Sequence, residues 1–409
     1  MEHALQILIV VIATRIFGRL AVRAHQPASV GEILAGIGLA VGFTAYAGNT
    51  HLIAAIVASP ATEQVAQIGI FFLMLYAGVE LQPREIAVNS GVSLRVALGG
   101  LVVPLAAGVA FAWAILPPSE LKLAQALVVG TALAITAIPV AVKVFLELGL
   151  LHKPVGEIVV SAALFDDVFG LLLLAVVTNL ITLGQLPDGY SVVHLLVQAA
   201  GFFALTGVLA YYGFPLVWRY IEALAIPGLR LVVLLAVGVG FGALAEHLGM
   251  HFVLGPFMAG LFFEPGRVGA EAFARQKAIL EPITLGILGP VFFAWIGMQL
   301  DLSAFVAVPW FLAGLIVIAF LGKLIGAGVP ALWSGLGRRD AAAIGIGMSG
   351  RGAVEMVIVS IAFTAGVFAN PHDDPVVANL FSALVITAVV TTALTPVLLR
   401  LVLLGGKKT

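Results

Sequence analysis

The chain has 409 residues, of which 61% are apolar and 10% are charged, and its mean hydropathy is +1.15. Soluble globular domains average about half apolar and about a quarter charged residues, so this composition excludes a soluble domain. The formal net charge of -1 does not suit the clustered basic surface that nucleic-acid binding needs, so we expect no nucleic-acid partner. The absence of cysteine excludes disulfides and thiolate metal sites.

Apolar runs divide the chain into about 13 predicted membrane-spanning helices, since a span needs about 20 residues and a span with its loop about 30. The runs are at 4–22, 30–47, 64–82, 91–116, 121–149, 154–184, 192–219, 229–248, 251–264, 278–300, 304–334, 340–368 and 376–404. We therefore predict an all-α integral membrane protein, with residues 1–409 forming one domain in the lipid bilayer. Because no room is left for a large soluble domain, we expect neither an enzyme nor a bound cofactor.

Lysine and arginine are distributed asymmetrically between the predicted loops. The first apolar run contains Arg15 and Arg19 and lacks a cleavage-site pattern, so we interpret it as a retained helix rather than a signal peptide. If the N-terminus is outside, the outer loops contain only Lys122. Basic residues prefer the cytoplasmic side, so the pattern predicts an outside N-terminus and a cytoplasmic C-terminus. The inner loops and tail would then contain Arg23, Arg84, Lys153, Arg219, Arg230, Arg267, Arg275, Lys277, Arg338, Arg339, Lys407 and Lys408.

Two pairs of short segments indicate an internal repeat. LYAGVELQ at 75–82 is similar to AWIGMQLD at 294–301, and LAGI at 34–37 is similar to MAGL at 258–261. We predict one five-helix copy at about 30–184 and a second at about 251–404, separated by two helices at about 192–248. An odd separation inverts one copy relative to the other, and inverted repeats are typical of transporters.

The fourth helix of each predicted copy is interrupted near its middle. ALAITAIPVAV at 132–142 contains Pro139, which lacks a backbone donor, and GIGMSGRGAVE at 345–355 is rich in glycine and includes Gly350. Two crossed breaks at membrane depth would present free carbonyl groups and half-helix dipoles to an ion. For a single break, a simple proline kink remains an alternative.

Five charged residues fall within predicted spans, where each costs about 2.5–3.5 kcal/mol on insertion scales and therefore needs a reason. Asp166 and Asp167 lie about 18 Å into the helix that begins at 154. Lys323 lies near the middle of its helix, and Arg351 and Glu355 flank the second break. Arg351 and Glu355 either contribute to ion coupling or only neutralise each other, since they stand four residues apart on a helix.

The tandem aspartates predict a site for a proton or a monovalent cation. Their side chains point about 100° apart, so we expect different roles. Burial and mutual repulsion both oppose ionisation of the pair, which suits a group that exchanges a proton for a cation. We predict that Asp167 alternates between H⁺ and Na⁺, with Asp166 and the carbonyl groups near Thr136 contributing oxygen ligands, and that Asp166 pairs with Lys323. The alternative is that both aspartates only cap helices or form salt bridges.

Other polar or small residues receive structural interpretations. We interpret five charged residues near the inner helix ends as snorkelling side chains or as parts of a cytoplasmic funnel, and three glycines as close-packing positions. The charged residues are Glu32, Lys143, Glu147, Glu157 and Glu281, and the glycines are Gly36, Gly78 and Gly260.

The chain resembles the bacterial monovalent cation:proton antiporters, specifically the sodium/proton branch with tandem aspartates. The resembling segments are GEILAGIGLA at 31–40, LMLYAGVELQ at 73–82, TALAITAIPVAVKVFLELGLL at 131–151, ALFDDVFGLLLLAV at 163–176, LGPFMAGLFF at 254–263 and GRGAVEMVIVS at 350–360. They cover nearly the whole chain. The FDD segment, the TAIP break, the position of Lys323 and the RGAVE segment are together quite specific.

The resemblance implies an alternating-access antiporter of the bacterial inner membrane. It implies a homodimer whose core domain moves like an elevator, with the second aspartate, here Asp167, binding cation and proton. It also assigns the first aspartate, Asp166, to a salt bridge with Lys323. Members with tandem aspartates are typically electrogenic, exchanging two protons per sodium ion. Potassium-exporting relatives usually have Gln in place of the first aspartate and a cytoplasmic nucleotide-binding domain, so Asp166 and the end at Thr409 favour Na⁺, or Li⁺, without a soluble regulatory domain.

Three other functions are alternatives to Na⁺/H⁺ exchange. K⁺/H⁺ exchange stays open because selectivity depends on cavity size and ligand number. A cation channel usually arranges its carboxylates as a ring around a symmetric pore, rather than in tandem on one helix. An intramembrane aspartyl protease needs its two aspartates on different helices.

Overall fold

Helices are the regular elements in the described part of the computed structural model. It describes residues 2–45, 60–81, 83–183, 189–224, 226, 228–299, 303–352, 355, 359, 362–363, 365–368 and 373–404. The helices are α1 (Glu2–Arg23), α2 (Ala28–Ala45), α3 (Pro60–Glu80), α4 (Pro83–Ile115), α5 (Lys122–Ala134), α6 (Ile138–Glu147), α7 (Pro154–Leu183), α8 (Gly189–Leu224), α9 (Leu229–His247), α10 (Leu254–Leu261), α11 (Pro265–Val268), α12 (Ala270–Ile283), α13 (Gly289–Met298), α14 (Ser303–Ala307), α15 (Pro309–Trp333), α16 (Arg338–Gly347), α17 (Pro375–Ala378) and α18 (Leu380–Leu404). A π-helical turn, Thr284–Leu288, joins α12 to α13.

Proline marks the beginning of several of these helices. Pro60, Pro83, Pro154 and Pro309 are the first residues of α3, α4, α7 and α15. The first turn of a helix has no internal acceptor for its N–H groups, so proline loses nothing there and its fixed φ favours the helix.

The all-α prediction is confirmed for the described residues, whereas the count of 13 spans stays a prediction. Nine helical segments in the described ranges are long and apolar enough to cross a membrane, where α5 with α6 and α12 through α14 each count as one segment. Helix α7, which contains both aspartates, is not among the nine but has 30 residues. The predicted span at 340–368 extends over residues outside the described ranges.

The span predicted at 121–149 is interrupted as expected, and its two halves are the helices α5 and α6. Two other predicted helix boundaries were wrong. The span predicted at 251–264 has only eight helical residues in α10 before a new helix begins at Pro265. The span predicted from 278 begins earlier, at Ala270, and continues through the π-helical turn into α13.

Contacts between helices separate the fold into two groups. Helices α4, α5, α6, α7, α15, α16 and α18 pack on one another, and we call them the core group. Helices α1, α2, α3, α9, α10, α12 and α13 form a second set, the frame group. The long helix α8 contacts members of both groups, and α2 and α3 pack against α6 or α18 across the boundary. The boundary between the two groups is therefore formed by α2 and α3 on one side and by α6 and α18 on the other, with α8 contacting both groups.

Two close helix crossings in the frame group are equivalent. In one, α2 crosses α13 at Gly36 and Gly297, and in the other α3 crosses α10 at Gly78 and Gly260. A Cβ on Gly297 would lie 2.2 Å from the carbonyl oxygen three residues before Gly36, and a Cβ on Gly260 would lie 2.2 Å from the carbonyl oxygen three residues before Gly78. Only glycine permits such an approach, as the close-packing interpretation expects. The matched geometry supports the predicted repeat, whose boundaries stay predictions.

Candidate functional site

The first helix break is three residues long and lies in the buried centre of the core group. Helix α5 ends at Ala134, α6 begins at Ile138, and Ile135 and Ala137 have extended backbone angles. Pro139 lies in the first turn of α6, where its missing N–H removes no helical hydrogen bond. The predicted break is thus a complete interruption rather than the alternative proline kink, and it is tolerated at membrane depth because protein surrounds it.

The second break contacts the first. Helix α16 ends at Gly347, and the carbonyl of Gly350 accepts a 2.9 Å hydrogen bond from the backbone N–H of Ala137. A Cβ on Gly350 would lie 2.7 Å from the side chain of Val140, so a larger residue would push the breaks apart. The structure therefore brings Pro139 and Gly350, which were predicted from separate sequence patterns, to one crossing.

Arg351 connects the second break to the end of α5. Its buried guanidinium donates to the carbonyl oxygens of Ala132 (3.2 Å) and Leu133 (2.6 Å). These carbonyls lie in the last turn of α5, where they lack helical partners and carry the negative end of the helix dipole. Glu355 is 3.5 Å from Arg351, so the two charges are also paired. The interpretation that Arg351 and Glu355 only neutralise each other was incomplete. Arg351 also caps α5, and the sequence alone does not reveal this contact.

Asp166, Lys323 and Thr136 form what we call the break cluster. The Nζ of Lys323 lies 3.0 Å from Oδ2 of Asp166 and 2.7 Å from Oγ1 of Thr136. The Thr136 hydroxyl lies 2.7 Å from Oδ2 of Asp166 and 2.9 Å from the carbonyl oxygen of Met348, and it can donate its single proton to either. All three cluster side chains are fully buried, so the lysine and the carboxylate offset the cost of removing each other from water.

Asp167 has different surroundings from its neighbour. Its side chain is also buried, but its Oδ2 accepts no hydrogen bond from any described residue. It lines a cavity of about 20 Å³ together with Ala137, Pro139 and His251. A cavity above about 10–15 Å³ can hold one water molecule, so this space suits a single small particle beside the carboxylate.

A second buried charge cluster, which we call the α2–α6 cluster, contains Ser29, Glu32, Lys143 and Glu147. Lys143 forms a hydrogen-bonded ion pair with Glu32 and lies 3.6 Å from Glu147. Glu147 accepts hydrogen bonds from the backbone N–H (3.1 Å) and the hydroxyl (2.8 Å) of Ser29. Snorkelling was therefore the wrong interpretation of Glu32 and Lys143, which are 2% and 1% exposed because α2 covers the end of α6.

Comparisons with known proteins agree with this architecture. The family model described as "Sodium/hydrogen exchanger, transmembrane" matches residues 7–405. The chain is 28% identical to the Na(+)/H(+)-K(+) antiporter GerN of Bacillus cereus, over 98% of this chain and 96% of that protein. It is 24% identical to an Na(+)/H(+) antiporter of Enterococcus hirae, over 96% of each.

Among solved structures, the chain is similar in fold to the sodium proton antiporter MjNhaP1 from Methanocaldococcus jannaschii. The TM-score is 0.67 at 16% identity, with 98% of this chain and 97% of that chain covered. Structural similarity at 16% sequence identity supports the fold alone. The match to the family model supports membership of the family. The chain is a multi-pass membrane protein of the sodium/hydrogen exchanger family, and its function is secondary antiport of cations and protons.

Proposed function

We propose that this antiporter exchanges Na⁺ or Li⁺ for H⁺ by binding them alternately at the Asp167 carboxylate. The observation that carries the proposal is the difference between two adjacent buried carboxyl groups. Asp166 is bonded to Lys323 and Thr136, whereas Oδ2 of Asp167 has no hydrogen-bond donor among the described residues, and the Asp167 residue lines a cavity of about 20 Å³. A buried carboxylate needs either a proton or a cation, so Asp167 must carry one of them to cross the membrane.

The oxygen atoms near Asp167 suit a hard monovalent cation. Asp166 has one further buried oxygen, Oδ1, without a hydrogen-bond donor in the described residues. Carbonyl groups of the break near Thr136 complete the proposed ligand set, but those of Ala132 and Leu133 are excluded because Arg351 already occupies them. Glu355 acts with Arg351 on this end of α5 and does not bind the cation.

The division between the core and frame groups supports an alternating-access mechanism. The break cluster and Asp167 belong to the core group, so a displacement of this group along α2 and α3 would carry the site across the bilayer. Coupling requires that the loaded or protonated site moves while the bare carboxylate does not. We further propose that exchange is electrogenic, in which case each net charge adds about 2.3 kcal/mol per 100 mV of membrane potential.

The placement in the membrane is part of the proposal. The distribution of lysine and arginine favours an outside N-terminus and a cytoplasmic C-terminus in the bacterial plasma membrane. We propose a homodimer formed by the frame group and one continuous transport domain made of two inverted repeats at about 30–184 and 251–404, linked by 192–248.

K⁺/H⁺ exchange is the second candidate. GerN, to which the chain is 28% identical, is named as an antiporter of K⁺ as well as Na⁺. Oxygen ligands bind both ions, and the discrimination depends on cavity size and ligand number. The small cavity beside Asp167 favours the smaller ion.

Flux measurements in proteoliposomes test the function. With an imposed pH gradient, we expect Na⁺ and Li⁺ to dissipate the gradient and K⁺ to have a much smaller effect. Asp167→Asn should abolish exchange without lowering thermal stability, while the matched control Glu246→Gln, an exposed carboxyl at the end of α9, should keep it. Sodium-driven proton efflux retained in Asp167→Asn would contradict the site. Equal rates with K⁺ would favour the second candidate, and uncoupled current would indicate a channel.

A further inference from the structure

Two adjoining cavities of about 370 Å³ each lie beside the α1–α2 hairpin, near the end of α1 at Arg23. Arg15 and Arg19 line the first cavity, and His25 and Arg400 line the second. Both are bordered by Val22 and Ala28, so they are neighbours around the turn of the hairpin. This basic space is separate from the Asp167 cavity, which α3, α6, α7 and α13 help to line.

Arg15 and Arg19 stand on one face of α1 and are exposed. Neither guanidinium forms a hydrogen bond or close ion pair with another described residue, although Arg15 is near enough to the Glu32 carboxylate to be attracted to it. Arg19 lies about 6 Å and Arg15 about 12 Å along the helix from Arg23. Snorkelling can bring the side chain of Arg19 to the membrane surface, but a guanidinium as deep as that of Arg15 needs an anion nearby.

The two carboxylates that line these cavities, Glu32 and Glu147, compensate the arginines only in part. Glu32 and Glu147 both face Lys143, so one lysine already offsets part of their charge. Four cations stand against two carboxylates around the paired cavities, which leaves two positive charges in excess. The cations are Arg15, Arg19, Lys143 and Arg400. The excess matches an anion of one or two negative charges.

The apolar surface of α1 indicates what carries that anion. A row of aliphatic side chains is exposed along the helix and leads towards Arg15 and Arg19. It comprises Leu5, Leu8, Ile12, Ile16 and Leu20, each about half exposed. In a membrane protein such a row faces hydrocarbon chains, and the basic cavities begin where it meets the arginines. A molecule with both acyl chains and an anionic head would cover the row and the cavities together.

We propose that the α1–α2 hairpin binds an anionic phospholipid, with its phosphate between Arg15 and Arg19 and its acyl chains along α1. Guanidinium groups bind phosphate oxygens in a bidentate geometry, and basic pockets between membrane helices are known to take anionic headgroups. Glu32 and Glu147 of the α2–α6 cluster line the cavities, and this cluster joins the frame group to the core group. A bound lipid therefore rests against the contact that the proposed motion must break.

Lipid-dependent thermal stability of the full chain in detergent tests this site, independently of exchange activity. Phosphatidylglycerol should raise the melting temperature of the wild type more than phosphatidylcholine does, because a ligand that binds the folded state stabilises it. Arg15→Gln/Arg19→Gln should weaken phosphatidylglycerol binding by at least about tenfold. The matched control Arg23→Gln/Arg84→Gln removes two arginines that line neither cavity and should bind like the wild type.

Three results would overturn the proposal. Equal stabilisation of the Arg15→Gln/Arg19→Gln variant by phosphatidylglycerol would show that the arginines only snorkel. Inorganic phosphate that stabilises as well as the lipid would indicate a site for a free anion. A lipid-free dimer that dissociates in the Arg15→Gln/Arg19→Gln variant but not in the control, measured by light scattering, would mean that the arginines contact a second copy of the chain.

Discussion

The break cluster and the α2–α6 cluster both contain a buried lysine between polar groups, but they join different parts of the molecule. Lys323, Asp166 and Thr136 all belong to the core group, so their contacts lie within one helix group. Lys143 lies on α6 of the core group, whereas its ion-pair partner Glu32 lies on α2 of the frame group. A displacement of the core along the frame would preserve the first ion pair and break the second.

The two buried lysines therefore differ in what they connect. In the break cluster the lysine pairs with a carboxylate of the same helix group, beside the proposed cation site. In the α2–α6 cluster it pairs with a carboxylate of the other helix group. Substitutions in the first cluster should change binding and stability together, while those in the second should mainly change how fast the protein moves between conformations.

The largest effect is expected for Lys323→Met. The substitution leaves the Asp166 carboxylate buried with only the Thr136 hydroxyl as partner, and breaking a buried ion pair from one side costs about 3–5 kcal/mol. Thermal melting in detergent should show a large loss of stability. The double variant Asp166→Asn/Lys323→Met should recover most of it, because no unpaired charge remains. Unchanged melting of Lys323→Met would mean that the pair does not contribute to folding.

A smaller effect is expected for Lys143→Met. The Glu32 carboxylate loses its ion-pair partner but lines a cavity with Arg15, and Glu147 keeps its two hydrogen bonds from Ser29, so the loss should be closer to about 2–3 kcal/mol. We expect the apparent Na⁺ affinity to stay near that of the wild type while the maximal exchange rate changes. Concentration-dependent flux in proteoliposomes measures both quantities. Loss of Na⁺ affinity would show that the two clusters do not differ in the proposed way.

The smallest effects are expected when one hydroxyl group is removed from each cluster. Thr136→Val and Ser29→Ala each remove a hydroxyl that bonds a carboxylate, at 2.7 and 2.8 Å, and each should cost about 1 kcal/mol of stability. Thr136→Val should also weaken Na⁺ binding severalfold, measured from flux, and Thr136→Ser should restore it. Ser29→Ala should leave Na⁺ binding unchanged. Equal effects on Na⁺ binding would remove the distinction between the clusters.

The sequence predicts the parts of the site that depend on local rules. Pro139 marks a break because proline cannot continue a helix, and Asp166 and Asp167 attract attention because a charge inside a span is costly. The ion pair between Asp166 and Lys323 could be predicted because the two residues carry opposite charges at similar depth in the membrane. The geometry agrees with that expectation, while the transport roles of these residues stay predictions.

The remaining features depend on contacts between distant parts of the chain. Glu32 and Lys143 are 111 residues apart, and their burial follows only from the packing of α2 against α6. Arg351 caps α5 because the two breaks cross, and neither break alone contains that information. The different surroundings of Asp166 and Asp167 could be expected from their 100° separation, but the cavity beside Asp167 could not, since it is assembled from several helices.

The two glycine crossings have a consequence for the biosynthesis of the chain. Each crossing joins a helix of the first predicted repeat to a helix of the second: α2 to α13, and α3 to α10. At ordinary rates of translation α2 must wait on the order of tens of seconds before α13 is made. The nascent N-terminal half therefore stays incompletely packed in the membrane until the second half arrives. Chains divided between α8 and α9 should accordingly be unstable as separate fragments but should reassemble when both fragments are produced in the same cell.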